Sequence, residues 1–497
     1  MRASGVLLPV FSLPSPHGIG CFSKEAYEWV DFLKLAGQQY WQILPLGPTS
    51  YGDSPYQSFS TYAGNPYFID LEELVEAGFL TRKEVEACDC GKAARDIDYG
   101  KLYENRFKLL RKAYERANVG EDQEFEAYRR ENAWWLDDYA LFMAVKDRFD
   151  GVAWNEWAED IRLRWSNAMD YYRRELYYEI EFYSYLQFVF MKQWKKLKNY
   201  ANINGIEIIG DIPIYVAFDS ADAWANPELF QFDAENLPTA VAGCPPDGFS
   251  ADGQLWGNPL YRWDYHRETG FDWWIRRIAY CSELYDVVRI DHFRGFDEYY
   301  SIPYGDTTAR NGHWEKGPGI ALFEAAKNRL GELNIIAEDL GYITDSVKKL
   351  VADSGFPGMK VLEFAFDSRE KSDYLPYTYE KNSVVYTGTH DNETIAGWYA
   401  GLDKSDLKMC TDYMNIDRIP GKEYHWDFIR LAMLSVSDLC VIPIQDYLGL
   451  DNRARINHPS TLGTNWRWRL AKGQLSASLL KEIREMTRIS GRLQNGE

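Results

Sequence analysis

Eight short runs of apolar residues, rich in Val and Ile, are the feature of the sequence that most limits how the chain can fold. They occupy residues 5–10, 39–46, 206–216, 287–293, 334–340, 359–366, 384–389 and 439–447. Continuous runs of this length are typical of strands buried on both faces of a parallel sheet. Amphipathic segments of helical length, such as 319–330 and 344–354, separate the later runs. We therefore predict an α/β fold, a (β/α)8 TIM barrel. A doubly wound sheet is the alternative, but no Gly-x-Gly-x-x-Gly motif follows any run.

The uneven spacing of the runs predicts large insertions in a single catalytic barrel spanning residues 1–497. Segment 49–205 holds about 157 residues, far more than one strand-to-helix connection needs. Apolar residues at a helical period predict one helix over 123–150 and one long helix over 167–200. We expect this mostly helical insertion after strand 2 to wall one side of the barrel mouth. A second insertion, 217–286, carries a Gly/Pro-rich segment at about 243–259 that is predicted to be a flexible loop at the active site.

The charge and cysteine content exclude several classes of protein. With 55 basic and 75 acidic residues the net charge is −20, which disfavours binding to nucleic acid or to an anionic membrane. No run of 18 apolar residues predicts a membrane span, and the apolar run at the N-terminus is too short for a signal peptide. Seven scattered cysteines do not form a disulfide framework, and the one close pair, Cys88-Asp-Cys90, lacks the partners of a zinc site. We expect a cytoplasmic protein.

Aromatic residues are unusually frequent and indicate the class of ligand. The chain has 18 Trp, 35 Tyr and 25 Phe, and these make up 16% of its residues. Packing in a large core accounts for part of this number. Aromatic faces also stack on the apolar faces of sugar rings and nucleobases. Because the charge disfavours nucleic acid, carbohydrate is the favoured ligand.

Acidic residues close four of the eight runs. They are Asp211, Asp291, Glu338 and Asp391, at the ends of predicted strands 3, 4, 5 and 7. The carboxyl ends of the strands form the active-site face of such a barrel. A single acid there is commonly an ion-pair partner or a helix cap. Four of them together indicate glycoside chemistry, in which one carboxylate attacks the anomeric carbon and a second carboxyl group protonates the leaving oxygen.

The neighbours of these acids suggest how the roles divide. Arg289 shares a strand face with Asp291, and we expect it to lower the pKa of that carboxyl and keep it ionised as a nucleophile. A buried ion pair without a chemical role is the alternative. Glu338 follows three apolar residues, a setting that would raise its pKa toward that of a general acid. His292 and His390 adjoin candidate acids and could hydrogen-bond sugar hydroxyls or a carboxylate, or they could be core histidines.

Longer motifs at and around these residues extend nearly end to end along the chain. They are Gly5-Val-Leu-Leu-Pro9, Pro16-His-Gly-Ile-Gly20, Trp41-Gln-Ile-Leu-Pro-Leu-Gly-Pro48, Ser54-Pro-Tyr56, Gly64-Asn-Pro-Tyr67, Gly210-Asp-Ile-Pro-Ile-Tyr215, Pro245-Pro-Asp247, Gly253-Gln-Leu-Trp-Gly-Asn-Pro259, Thr464-Asn-Trp-Arg467 and the segments around Asp291, Glu338 and Asp391. With these motifs the sequence resembles the 4-α-glucanotransferases of the amylomaltase, or disproportionating enzyme, family in the α-amylase clan.

The resemblance implies transfer of α-1,4-glucan segments to the 4-OH of an acceptor glucan or glucose by a retaining double displacement. It implies that Asp291 is the nucleophile, Glu338 the acid/base and Asp391 the stabiliser of the transition state. The residues expected to bind the glucan are Tyr56, Asp211, Trp256, Arg289, His292, His390, Asn465 and Trp466. We expect no metal and no cofactor, and the expected partners are α-1,4-glucans and malto-oligosaccharides.

Two features of the sequence qualify the expected activity. Gly248 follows Pro-Pro-Asp where relatives often carry a larger side chain, so the loop could hold sugar less firmly. The chain begins directly at the barrel, so no additional starch-binding domain is expected. The alternative functions are an α-glucan hydrolase that uses the same carboxylates and a non-catalytic glucan-binding protein.

Overall fold

Eight parallel strands close into a barrel. The computed structural model describes residues 2–50, 52–91, 93–246, 250–341, 343–417 and 423–494. The barrel strands are β1 (Ala3–Leu7), β2 (Tyr40–Gln42), β3 (Glu207–Pro213), β4 (Val287–Asp291), β5 (Ile335–Ala337), β6 (Gly358–Val361), β7 (Ser383–Tyr386) and β8 (Leu439–Pro443). Each strand pairs with the next along the chain, and β8 pairs with β1 from Ala3↔Leu439 to Leu7↔Pro443. Each of the eight apolar runs supplies one strand, so the predicted (β/α)8 barrel is confirmed.

Alternation along the strands divides the core into two layers. One set of buried residues comes from the barrel strands and fills the interior: Leu7, Ile209, Ile336, Met359, Val361, Val384, Tyr386 and Val441. Their neighbours in the sequence, such as Val6 and Ile208, belong to the larger cluster that packs against the helices. Because both faces of each strand are buried, the runs are continuously apolar rather than alternating.

Helices surround the barrel and fill the long connections. The α-helices are α1 (Lys24–Leu35), α2 (Leu71–Glu76), α3 (Arg82–Ala87), α4 (Tyr99–Ala117), α5 (Gln123–Arg148), α6 (Glu159–Arg162), α7 (Ser166–Glu175), α8 (Tyr177–Ile203), α9 (Ala221–Ala225), α10 (Trp263–Glu268), α11 (Asp272–Leu284), α12 (Ile320–Leu330), α13 (Asp345–Ser354), α14 (Ile395–Gly401), α15 (Lys404–Met414), α16 (His425–Leu434), α17 (Ile444–Tyr447) and α18 (Ala477–Ile489). Helices α2 to α8 all lie between β2 and β3, so the first insertion is mostly helical, as predicted.

The prediction of one long helix over 167–200 was wrong. The segment forms two helices, α7 and α8, separated at Leu176, whose φ of −106° and ψ of 23° leave the helical region. Neither Gly nor Pro occurs at the break, so the sequence carries none of the usual signals for it. The helix predicted over 123–150 is confirmed, and it is α5.

The second insertion contributes to a small antiparallel sheet. Its strands lie in the order Gln254–Pro259, Ala240–Cys244, Glu298–Pro303 and His313–Lys316. The segment at 243–259, predicted as a loop, therefore begins and ends in paired strands, and residues 245–253 connect them. Within that connection, residues 247–249 lie outside the described residues, and these include Gly248. Among the described residues no helix is long and apolar enough to cross a membrane.

Candidate active site

Asp211 and Arg289 form a buried ion pair at the ends of β3 and β4. The Nη1 group of Arg289 donates hydrogen bonds to both Asp211 oxygens, at 2.8 and 2.6 Å. The same nitrogen donates to Oδ1 of Asp291 at 3.1 Å. Asp211 is fully buried, whereas the side chain of Asp291 is 28% exposed. The predicted shared face of Arg289 and Asp291 is therefore present, and Asp291 is the carboxylate of the two that is open to solvent.

The expectation that Arg289 lowers the pKa of Asp291 was wrong in its net direction. Burial raises the pKa of Asp291 to about 6, although the Arg289 guanidinium opposes this rise. The carboxylates of Asp211 and Asp391 raise it further. The physical reason is that burial of the carboxyl outweighs the attraction of Arg289, whose shorter contacts go to Asp211.

Glu338 follows β5 and is held by two backbone groups. Its Oε2 accepts a hydrogen bond from the His292 N–H at 2.7 Å, and its Oε1 accepts one from the Leu340 N–H at 2.8 Å. Burial, followed by the charge of Asp291, raises the pKa of Glu338 to about 7. The expected rise is confirmed. Asp339 points elsewhere and accepts the Met359 N–H at 2.7 Å.

Asp391 follows β7, and its surroundings lower the pKa of its carboxyl, whereas those of Asp291 and Glu338 raise theirs. Its Oδ2 lies 3.1 Å from Nε2 of His390, and its Oδ1 accepts a hydrogen bond from Asn457 at 2.6 Å. Burial raises the pKa of Asp391, but His390 and Asn457 outweigh it and bring the value down to about 2. Asp391 therefore stays ionised. Sequence reasoning missed Asn457, since nothing in its local sequence marks an amide beside this acid.

Tyr56, His390 and Trp466 form an aromatic wall on one side of the carboxylates. The Tyr56 ring stacks on the His390 ring, with centroids 5.0 Å apart and planes 16° apart. The Trp466 ring lies 5.8 Å from Tyr56 and 6.0 Å from His390. The Tyr56 hydroxyl donates to Oδ2 of Asp211 at 2.8 Å, which links the wall to the ion pair with Arg289.

Trp256 and His292 meet edge to face, with centroids 4.8 Å apart. His292 has a left-handed backbone with φ of 55°, at the turn where its N–H reaches Glu338. Burial lowers the pKa of His292 to about 3, so its imidazole is neutral. Its Nε2 has no hydrogen-bond partner within the part of the chain that the structure describes. A neutral ring with a free nitrogen is suited to a sugar hydroxyl.

Asn465 lies at the cleft, and its side chain also holds a neighbouring loop. Its amide group donates to the carbonyls of His458 and Thr461, and its oxygen accepts the His458 N–H at 2.9 Å. These bonds use the side chain to hold the loop 458–465 in shape. Asn465 thus positions a loop that lines the cleft.

The predicted residues converge on one cleft of about 700 Å³. Its lining includes Tyr56, Trp256, Asp291, His292, His390, Asp391, Asn457, Asn465 and Trp466. Glu338 reaches the same place through its bond to His292, and Asp211 and Arg289 do so through Asp291 and Tyr56. In the described ranges there is no group of three or more His, Cys, Asp or Glu side chains that could hold a metal ion. The cleft combines one permanently ionised acid, two acids with raised pKa values, and aromatic walls.

Comparison with known proteins gives a consistent set of matches. A family profile described as 4-alpha-glucanotransferase matches residues 8–475. The chain is 48% identical to a 4-alpha-glucanotransferase of Clostridium butyricum over 485 residues, covering 97% of this chain and 99% of the relative. It is 49% identical to a 4-alpha-glucanotransferase of Streptococcus pneumoniae over 498 residues, covering 99% of this chain and 98% of the relative.

The structure is similar to a solved structure of amylomaltase from Streptococcus agalactiae in complex with acarbose. The TM-score is 0.96 at 43% identity, covering 99% of this chain and 100% of the other. An amylomaltase from Corynebacterium glutamicum has the same fold, with a TM-score of 0.78 at 19% identity, and there this chain covers 75% of the other.

Proposed function

The chain belongs to the 4-α-glucanotransferase family, and on that premise we propose that it moves segments of α-1,4-glucan between malto-oligosaccharides by a retaining double displacement. Asp291 is the nucleophile, Glu338 the acid/base and Asp391 the stabiliser. The observation that carries this proposal is the separation of the pKa values in one cleft, about 7 for Glu338 and about 2 for Asp391. One group can carry a proton near neutral pH, and another keeps its charge throughout.

In the first step Asp291 attacks the anomeric carbon of the donor glucan. The bond from that carbon to the glycosidic oxygen breaks, and Glu338 gives its proton to the departing O4. Positive charge develops on the sugar ring, where the ionised Asp391 stabilises it. The His390 and Asn457 contacts hold Asp391 in that charged form.

In the second step the first product leaves the cleft, and an acceptor glucan binds in its place with its 4-OH toward the intermediate. Glu338, now ionised, takes the hydroxyl proton while the oxygen attacks the anomeric carbon. The ester bond to Asp291 breaks, and the new α-1,4 bond has the original configuration. Both carboxyl groups return to their starting states.

Transfer prevails over hydrolysis when a sugar hydroxyl reaches the intermediate before water does. The aromatic wall of Tyr56, His390 and Trp466 offers an apolar surface that can hold a glucan and exclude water. Tyr56 lies in the insertion 49–205 and Trp256 in the insertion 217–286, so we assign each insertion one wall of the glucan path. Arg289 and Asp211 orient the sugar next to the bond that breaks.

The direct test is to incubate the purified protein with maltotriose alone and resolve the products by chain length. A ladder of longer oligosaccharides together with glucose is expected. Products no longer than the substrate would identify a hydrolase instead. Unchanged maltotriose, repeated with longer glucans, would favour a non-catalytic glucan-binding protein.

The assignment of the nucleophile has its own test. In Glu338→Gln, a maltosyl fluoride should still react, because fluoride leaves without a proton, while the second step slows. The maltosyl-enzyme should then accumulate, and mass spectrometry of its peptides should place the sugar on Asp291. Asp291→Asn should lose roughly 10³-fold or more of its turnover and keep its fold and glucan binding. A label on another residue, or near-normal turnover of Asp291→Asn, would contradict the assignment.

A further inference from the structure

The proposed mechanism leaves the Cys88-Asp-Cys90 pair without a role. The two sulfur atoms lie 3.0 Å apart, and both cysteines are free. Cys88 ends helix α3, and the Cys90 N–H donates to the Cys88 carbonyl at 3.1 Å. A hydrogen bond between residues two apart folds the backbone into a tight turn, which brings their Cα atoms closer than in an extended strand. The turn therefore places both thiols on one side, within reach of each other.

A buried cation stands beside this pair. Arg106 of α4 is fully buried, and its Nη2 donates to the carbonyls of Tyr67 and Ile69. In the part of the chain that the structure describes, no carboxylate forms an ion pair with Arg106, and its Nε and Nη1 have no hydrogen-bond partner. A guanidinium does not deprotonate in a protein, so burial without an anion is costly. The buried carboxyl of Asp70 lies close enough for Arg106 to lower its pKa, but it forms no ion pair with Arg106 among the described residues, and a thiolate at Cys90 would add a negative charge beside the guanidinium.

The two thiols differ in their acidity for reasons visible in the geometry. The hydrogen bond from Cys88, together with Arg106, lowers the pKa of Cys90 to about 7 against the effect of burial. The same bond raises the pKa of Cys88. Cys90 is thus the nucleophilic thiolate and Cys88 the thiol that keeps its proton. This division of roles is the one that a dithiol needs to close a disulfide.

We propose that Cys88 and Cys90 form a redox-active dithiol that hydroperoxides oxidise reversibly to a disulfide. The Cys90 thiolate attacks the outer peroxide oxygen, so that an S–O bond forms, the O–O bond breaks and the alcohol or water leaves with one added proton. The Cys88 sulfur then attacks the Cys90 sulfur. The S–S bond forms, the S–O bond breaks, and the departing hydroxide leaves as water with the proton of Cys88. Two thiols lose two electrons, the peroxide gains them, and an external dithiol restores the starting state.

The pair belongs to a segment that braces the wall of the cleft. Shortly after Cys90 the backbone pairs with the C-terminal region, where the Ile97 N–H donates to the Arg467 carbonyl at 2.9 Å. The Tyr99 hydroxyl donates to the Trp466 carbonyl at 2.7 Å. Trp466 itself lines the cleft. A change in the turn at residues 88–90 therefore occurs on the chain segment that supports this aromatic residue.

The experiment is to treat the folded, reduced protein with hydrogen peroxide and digest it with trypsin under non-reducing conditions. Cleavage after Lys83 and Lys92 leaves both thiols in one peptide, 84–92. We expect that peptide to lose two hydrogen masses and to regain them with dithiothreitol. Cys88→Ser should stop at a sulfenic acid on Cys90, which dimedone traps. Cys90 is buried and Cys88 half-buried, so peroxide must reach the pair from the side of Cys88. Cys244→Ser removes a half-buried thiol elsewhere and should leave the result unchanged. No loss from the peptide, or equal trapping on Cys88 in Cys90→Ser, would overturn the proposal.

A second measurement separates a reactive pair from two inert thiols. The rate at which iodoacetamide alkylates Cys90 should rise with pH through a midpoint near 7 in the folded protein. In urea the midpoint should move up to about 8.5, the value of an ordinary thiol. A folded midpoint at or above the unfolded one would show that Arg106 does not stabilise the thiolate and would contradict the proposal.

Discussion

Arg289 determines how charge is divided among the acids of the cleft. One of its nitrogens contacts both Asp211 and Asp291, and the contacts to Asp211 are shorter. Burial raises the pKa of Asp291, and Arg289, which holds Asp211 more closely, offsets only part of that rise. Glu338, which lies next along the rim, feels the charge of Asp291 in turn. In the proposed mechanism, the proton on Glu338 is the one that the first step transfers.

The pH dependence of activity should follow from this arrangement. Asp291 must be deprotonated to attack, so kcat/KM should rise with pH through about 6. Glu338 must be protonated to assist departure, so kcat/KM should fall with pH through about 7. The profile with maltotriose should therefore be a narrow bell whose limbs belong to the coupled pair. Asp211→Asn frees Arg289 for Asp291 and should move the acid limb to lower pH. An acid limb that stays in place in this variant would contradict the shared-charge account.

Tyr56→Phe tests how far the aromatic wall supports the ion pair. The substitution removes the hydroxyl that donates to Asp211 and keeps the ring stacked on His390. Loss of a hydrogen bond to a charged group costs about 1.5–3 kcal/mol, so kcat/KM should fall roughly 10- to 100-fold. Steady-state kinetics with maltotriose measure this change. Tyr103→Phe, at a side chain 71% exposed, is the matched control and should have no effect. An unchanged kcat/KM in Tyr56→Phe would show that the Tyr56 hydroxyl contributes neither to substrate binding nor to turnover.

The sequence allowed the convergence of the four acids to be predicted, because each one closes an apolar run and strand ends meet at one rim. It did not allow the net pKa of Asp291 to be predicted, because burial of its carboxyl in the folded chain outweighs the nearby Arg289. Asn457 and the loop-holding bonds of Asn465 were missed because they too depend on the folded chain. Their bonds connect segments that only the folded chain brings together.

Among the secondary-structure elements, strand β3 can lie where it does only because one of its residues, Gly210, has no side chain. A Cβ atom on Gly210 would lie 2.1 Å from the ring of Tyr285, so the strand and that ring fit only with glycine there. Gly210 directly precedes Asp211. The close approach of the strand to Tyr285 therefore also sets where the buried acid lies.

Gly210→Ala should for this reason lower both stability and activity. Overpacking of this kind costs roughly 1–3 kcal/mol, and the displaced strand should misplace Asp211. Thermal unfolding and the maltotriose assay measure the two effects. Gly401→Ala, where nothing lies within 4 Å of the added Cβ, should leave the unfolding temperature nearly unchanged. If Gly210→Ala unfolds at the same temperature as the parent protein, the packing argument fails.

The elements differ in how well their sequences predicted them. Strands of the barrel are buried on both faces, so their apolar runs were unmistakable. The Gly/Pro-rich segment does lie between two paired strands, Ala240–Cys244 and Gln254–Pro259. The break at Leu176 has neither Gly nor Pro, so no local signal indicated it. Packing between segments decides the structure there, and local sequence does not encode it.

On the scale of the whole molecule, the two ends of the chain are joined. Arg492 is fully buried, and its guanidinium donates to the carbonyls of Ala3, Met433 and Ser437 at 2.7, 2.8 and 2.9 Å. Arg2 donates to the Ser435 carbonyl at 2.7 Å. These bonds reinforce the pairing of β1 with β8, at the place where the barrel closes.

Arg492→Ala should weaken this closure. It leaves several buried carbonyl groups without donors, and the free energy of unfolding should drop by about 3 kcal/mol. The unfolding temperature and urea sensitivity measure the loss. Arg484→Ala, at a partly exposed side chain with one bond to the Leu35 carbonyl, is the control and should change little. A parent-like unfolding temperature for Arg492→Ala would mean that strand pairing alone closes the barrel.

The pairing of β1 with β8 also governs how the protein can be made. Strand β1 is translated more than 400 residues before its partner, Leu439–Pro443. At about 5–20 residues per second, the interval lasts tens of seconds. During all of it the nascent chain carries an unpaired strand edge, the kind of surface that other chains can join. The barrel therefore cannot close before β8 has been made, and this edge of β1 stays open for that interval.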